Sequence, residues 1–134
     1  MTSTVLYSGE LRTNCVHLQS GNEIITDAPI DNHGKGEAFS PTDLVATALA
    51  SCMLTVMGIK ANSMPLNIDG AKAEVTKIMQ AEPRRIAEII ITIHMPERSY
   101  TDKEKIIMEH TAKTCPVLYS LHPDLIKTIQ FVWS

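Results

Sequence analysis

Cysteine is scarce in this sequence: three residues in 134, an odd number with no even framework spacing. That argues against a secreted disulfide scaffold and for a reducing compartment, with the cytoplasm as the expectation. A chain of this length buries roughly two-thirds of the surface its unfolded form exposes, so it needs neither disulfide nor metal to hold together. Its cysteines are therefore free for chemistry. Also missing is a basic leader followed by an apolar run, so no secretory signal is expected at Met1–Tyr7. The longest apolar stretch, Leu44 to Ile59, is interrupted by Thr47, Ser51 and Thr55. At 16 residues it falls short of the ~20 that span a bilayer, which predicts a core helix and no membrane partner.

Charge of one sign is not concentrated either. The formal net charge is −3, and lysine and arginine are scattered rather than striped, which gives no footprint for nucleic acid. Internal repeats and low-complexity segments are absent. The five histidines show no spacing, with one another or with the cysteines, that resembles a metal site, so no metal or other cofactor is expected. No Gly-x-Ser-x-Gly elbow is present, and Gly34-Lys35-Gly36-Glu37 is too short and wrongly placed for a phosphate loop. One domain over residues 1–134 is the expectation for this size.

Loosely alternating apolar residues between positions 4 and 30, punctuated by Ser8-Gly9 and Ser20-Gly21-Asn22, predict a small antiparallel meander. A loop containing Pro29, Asn32, Gly34 and Gly36 leads into Ser40-Pro41-Thr42-Asp43. There Ser40 suits an N-cap, Pro41 the first helical position and Asp43 a capping box. The helix that follows gathers Leu44, Ala48, Cys52 and Val56 at intervals of four, flanked by Leu49, Met53 and Ile59 on adjoining rows, predicting that Cys52 lies mid-helix on the buried side. Asn62 and Pro65 end it. Strands are expected over Leu66–Ile78, with a bend at Gly70, and over Ile86–Met95, joined by a hairpin through Pro83 and Arg84-Arg85. Thr101-Asp102-Lys103-Glu104 is a second capping box. Cys115-Pro116 breaks that helix and begins a short one with Cys115 as its N-cap, and Leu125–Trp133 reads as a last strand.

A thiol becomes a nucleophilic thiolate near neutral pH only where positive charge or a helix N-terminus favours the anion. The helix start at Cys115 has that character and would favour negative charge by roughly 0.3–1 kcal/mol. Cys52, about three turns into its helix, would need a cation from elsewhere, and Arg12 in the meander is the candidate. On pattern alone Cys52 reads first as a small packing hydrophobe and only second as a nucleophile, and Cys15, without a favourable setting, as structural.

Taken together, Gly36-Glu37-Ala38-Phe39-Ser40-Pro41-Thr42-Asp43-Leu44, Ala48-Leu49-Ala50-Ser51-Cys52 and Cys115-Pro116-Val117 resemble the family of osmotically inducible protein C and the organic hydroperoxide resistance proteins. The resemblance covers essentially the whole chain and includes the 63-position separation of the two cysteines. It implies an α+β fold, with antiparallel sheets wrapped around long central helices in an intertwined homodimer. It also implies a thiol peroxidase for organic hydroperoxides, regenerated by a dithiol reductant. In that scheme Cys52 is oxidised to a sulfenic acid and Cys115 resolves it as a disulfide. Hydroperoxide resistance members carry Asn-Pro-Glu where this chain has Ser40-Pro41-Thr42, and that glutamate pairs with the activating arginine. Thr42 supplies no charge, so Asp43 or Glu37 is the expected partner of Arg12. A thiol-based redox sensor or small-ligand-binding protein with little turnover is the alternative reading. A structural dimer whose cysteines merely pack is a third.

Overall fold

The computed structural model describes residues 1–134, which fold as two compact units, Met1–Val45 and Ala46–Ser134. In the first unit, strands β1 (Ser3–Gly9), β2 (Arg12–His17) and β3 (Glu23–Asp27) form the expected antiparallel meander. The register pairs Val5 with Cys15 and Cys15 with Ile24, so these three side chains share one sheet face. Apolar residues on both faces, among them Val5, Leu6, Tyr7, Ile24 and Ile25, remain exposed on the chain by itself. The buried residues of this unit are polar: Thr26, Asp27 and Ser40.

Helix α1 (Pro41–Ser63) begins at the end of this unit and continues into the second. Its start is the predicted box: the Ser40 N–H donates to Asp43 Oδ2 at 3.0 Å, and the Asp43 N–H donates to Ser40 Oγ at 3.1 Å. The buried face differs from the expected one. Ala46, Leu49, Ala50, Met53, Met57 and Ala61 are buried, whereas Cys52 and Val56 are half-buried and Ala48 is exposed. Alanine, valine and methionine occur all round this helix, so intervals of four pick out more than one row. Which row is covered depends on what the helix packs against. At 23 residues α1 is long and apolar enough to cross a bilayer by length and composition. Its buried row nevertheless joins one hydrophobic cluster with Ile89, Ile91 and Ile93, the packing of a core helix.

Strand β4 (Lys72–Gln80) pairs antiparallel with β5 (Arg85–His94), matching Val75 with Ile91 and Ala73 with Ile93. The predicted strand at Leu66–Ile68 is absent. Asn67 Oδ1 takes the Asp69 N–H at 2.7 Å and Gly70 adopts φ 94°, so an Asx turn claims the backbone groups a strand would need. Helices α2 (Asp102–Ala112) and α3 (Pro116–Ser120) then intervene before β6 (Ile126–Val132). Because they carry the chain back along the sheet, β6 pairs parallel to β5, with Ile129 beside Ile91 and Phe131 beside Ile93. This sheet is therefore mixed where antiparallel pairing was expected. Its central strand turns Ile89, Ile91 and Ile93 into a core completed by Met53, Met57, Met108 and Ala112.

Helix α2 carries the reciprocal cap foreseen at Thr101, whose hydroxyl accepts from the Glu104 N–H at 3.1 Å while Glu104 Oε1 accepts from the Thr101 N–H at 2.8 Å. Thr101→Ala should cost about 1 kcal/mol of unfolding free energy, measured by urea denaturation with unchanged slope.

Candidate functional site

Two groups of candidate side chains are assembled, one in each unit. In the second unit the mid-helix position of Cys52 and the N-cap position of Cys115 bring the two thiols together. Both are free cysteines and both belong to one hydrophobic cluster, with Cys52 near enough to raise the Cys115 thiol. Cys115 is fully buried, and Cys52 is half-buried. The extended backbone of Cys115, φ −72° and ψ 140°, leads into Pro116, and its Sγ accepts the Leu118 N–H at 3.3 Å.

That donor favours the thiolate, as the sequence predicted, but it does not decide the outcome. Burial pushes the Cys115 thiol above its ordinary value, and the adjoining Cys52 adds to the rise; the Leu118 and Val117 amides oppose it only in part. α3 has five residues, so it offers few aligned peptide dipoles against the desolvation of an anion. The expectation that the helix start would make Cys115 thiolate-prone is thus reversed.

In the first unit Arg12 opens β2 directly opposite Asp27, the last residue of β3. The guanidinium grips Asp27 through two bonds, Nε to Oδ1 at 2.7 Å and Nη2 to Oδ2 at 2.8 Å, and Nη2 also reaches Glu37 Oε2 at 3.3 Å. The Asp27 carboxylate further accepts the Glu37 N–H at 3.2 Å, and its own N–H donates to the Phe39 carbonyl at 3.1 Å. One acid therefore anchors both the arginine and the loop that carries Glu37. Gly34 is obligatory in that loop, because a Cβ there would lie 1.7 Å from the Ala28 carbonyl oxygen. The hydrogen bonds of Arg12 hold Asp27 below the usual carboxylate range, and those of Asp27 and then Glu37 raise Arg12.

Of the acids proposed as partners of Arg12, Glu37 lies on the guanidinium, and Asp43 closes the α1 capping box. Asp27 was missed. Counting outward from the Ser20-Gly21-Asn22 turn would have set it opposite Cys15, and only the actual register places it opposite Arg12. Cys15 stands on the meander face with Val5 and Ile24, its sulfur 3.7 Å from Thr13 Oγ1. No three or more histidine, cysteine or acidic side chains gather as a metal-ligand set.

The fold and site together define the class: an α+β protein with a buried and a half-buried thiol in one cluster. The comparisons narrow this further. Residues 34–128, more than half of the chain, match the family model described as OsmC-like protein. The chain belongs to the OsmC-like family.

A crystal structure from Psychrobacter arcticus, provisionally described as an osmotic stress induced and detoxification response protein, is 57% identical. The match covers 98% of this chain and 96% of that one with a TM-score of 0.95. The fold is also that of the organic hydroperoxide resistance protein OsmC from Legionella pneumophila, with 15% identity, 98% and 96% coverage and a TM-score of 0.76. It is shared as well by the organic hydroperoxide resistance protein OhrB of Bacillus subtilis, with 13% identity, 98% coverage of each chain and a TM-score of 0.69. No curated protein matches the chain.

Two measurements probe these groups. Alkylation of Cys115 in the reduced protein should be slow at neutral pH and keep accelerating as pH rises past about 8.5, the ordinary thiol value. Peptide mass mapping reads the rate, and a plateau below that pH would mean that the Leu118 amide outweighs burial. At the other group, the Asp27 contribution is present above its unfolded pKa of about 3.9 and is lost as pH falls through the lower folded value. Asp27→Asn should lower stability at neutral pH and flatten acid unfolding followed by circular dichroism.

Proposed function

We propose that this chain is a thiol-dependent peroxidase for organic hydroperoxides, acting as a homodimer in the cytoplasm. The supporting observation is the meeting of Cys52 and Cys115 as reduced thiols in the core, across 63 positions of sequence. Half-buried Cys52 is the better placed of the two to meet a substrate, and buried Cys115 to act afterwards.

In this scheme the Cys52 thiolate attacks the distal peroxide oxygen and the O–O bond breaks. The alkoxide leaves and takes a proton to become the alcohol, and Cys52 becomes a sulfenic acid. The Cys115 sulfur then attacks Cys52, expelling the hydroxyl as water and closing the disulfide, and a dithiol reductant restores both thiols at the expense of its own oxidation. Arg12, with Glu37 and Asp27 holding its guanidinium, is the proposed cation favouring the Cys52 thiolate. Asp43 serves by starting the helix that carries that thiol. The apolar side chains left open on α1, Val45 and Ile59, and on the meander, Val5, Leu6 and Tyr7, support burial against a second copy.

A second reading, a redox sensor or ligand-binding protein with little turnover, is favoured by two observations. The charge of Arg12 is opposed by two carboxylates, and burial raises the Cys115 thiol. Both slow a catalytic cycle.

Reduction of cumene hydroperoxide and of hydrogen peroxide by the purified protein with a dithiol reductant tests the choice. Faster consumption of the organic peroxide is expected, and Cys52→Ser should abolish turnover. Retained activity in that variant would sink the peroxidase reading, and a disulfide formed readily without turnover would transfer the weight to sensing.

A further inference from the structure

A groove of about 600 Å³ opens in the second unit, lined by Lys60 near the end of α1 and by Ile106, Ile107, His110, Thr111 and Thr114. Its size falls in the range of about 300–1,000 Å³ typical of small-molecule sites. Along α2, Ile106 and His110 stand one turn apart on the same face, about 6 Å along the axis, Ile107 and Thr111 follow the adjoining row, and Thr114 lies just past the end of the helix. The lining thus runs from aliphatic to basic over one helical turn.

Two bases and no acid line the groove. Of the acids on α2, Glu104 closes the capping box, Glu109 accepts the Trp133 indole N–H at 3.0 Å, and Asp102 stands at the opposite end of the helix from His110. Lys60 and His110 are both exposed, and so is Ile106, with 66% of its surface open. An aliphatic floor beside unneutralised basic groups matches a ligand with an apolar body and one anionic head.

We propose that this groove binds a small amphiphilic carboxylate, its head on Lys60 and His110 and its tail along Ile106 and Ile107. Neither thiol lines the groove, so the site is independent of the peroxidase reading.

The test is calorimetric titration of the reduced, full-length protein with octanoate and with octanamide, its neutral counterpart. Octanoate should bind saturably, and octanamide about fivefold or more weakly, because charge-assisted hydrogen bonds exceed neutral ones. Lys60→Met should weaken octanoate by a similar factor and close the gap to octanamide. Ile106→Glu, which sets a carboxylate beside the tail and head, should abolish binding. Cys52→Ser should leave the affinity unchanged, which separates this site from the thiol chemistry. Both groove substitutions fall on exposed positions, and unchanged far-ultraviolet dichroism confirms the fold in each. Absence of saturable binding, equal affinity for octanoate and octanamide, or full octanoate affinity in Lys60→Met would each overturn the proposal.

Discussion

The packing of α1 on the isoleucine face of β5 sets where the thiol chemistry can occur. Met53 and Met57 are buried in one cluster with Ile89, Ile91 and Ile93, and that orientation leaves Cys52, next to Met53 in sequence, at the margin of the core. Cys115 enters the same cluster from the other direction, because Pro116 ends one helix and begins another where the chain turns back toward β6. A rotation of α1 by one residue, some 100°, would carry Cys52 away from this place. The methionines fit this role, since unbranched side chains fill the irregular space between a helix and a twisted sheet.

Burial governs the electrostatics of the two groups in opposite ways. Around Cys115 the surroundings are apolar, only backbone amides oppose the burial of a charge, and desolvation prevails, so the neutral thiol is favoured. Around Asp27 the carboxylate is equally enclosed, but a bidentate guanidinium and the Glu37 N–H satisfy it, and the ion is favoured. Charged partners of fixed geometry outweigh desolvation where backbone amides alone do not. The proposed cycle therefore places its cation on a rigid two-strand pairing and its second thiol where water is scarce.

The first unit also shows the limit of a 45-residue piece. Its three strands satisfy their backbone groups in the ladder, yet the buried side chains are Thr26, Asp27 and Ser40, and the large aliphatic ones are open. Structure in this unit is carried by hydrogen bonds and the Arg12–Asp27 pair to an unusual degree. A second copy of the chain as cover follows from that exposure in the proposed homodimer.

Local signals in the sequence determined the elements. Ser40-Pro41 and Thr101 mark helix starts because their side chains satisfy free amides within three residues, and Cys115-Pro116 marks a break because proline restricts its predecessor. The two cysteine motifs and the resemblance they carry were legible for the same reason: they are contiguous strings. Only the tertiary structure decided which row of α1 is buried, that β6 runs parallel to β5, and that Asp27 rather than Asp43 or Glu37 makes the bidentate grip on Arg12. Each of these depends on contacts between segments far apart in the chain. The sign of the Cys115 shift belongs with them, because desolvation is a property of everything packed around the sulfur, and a helix start contributes only its own few amides.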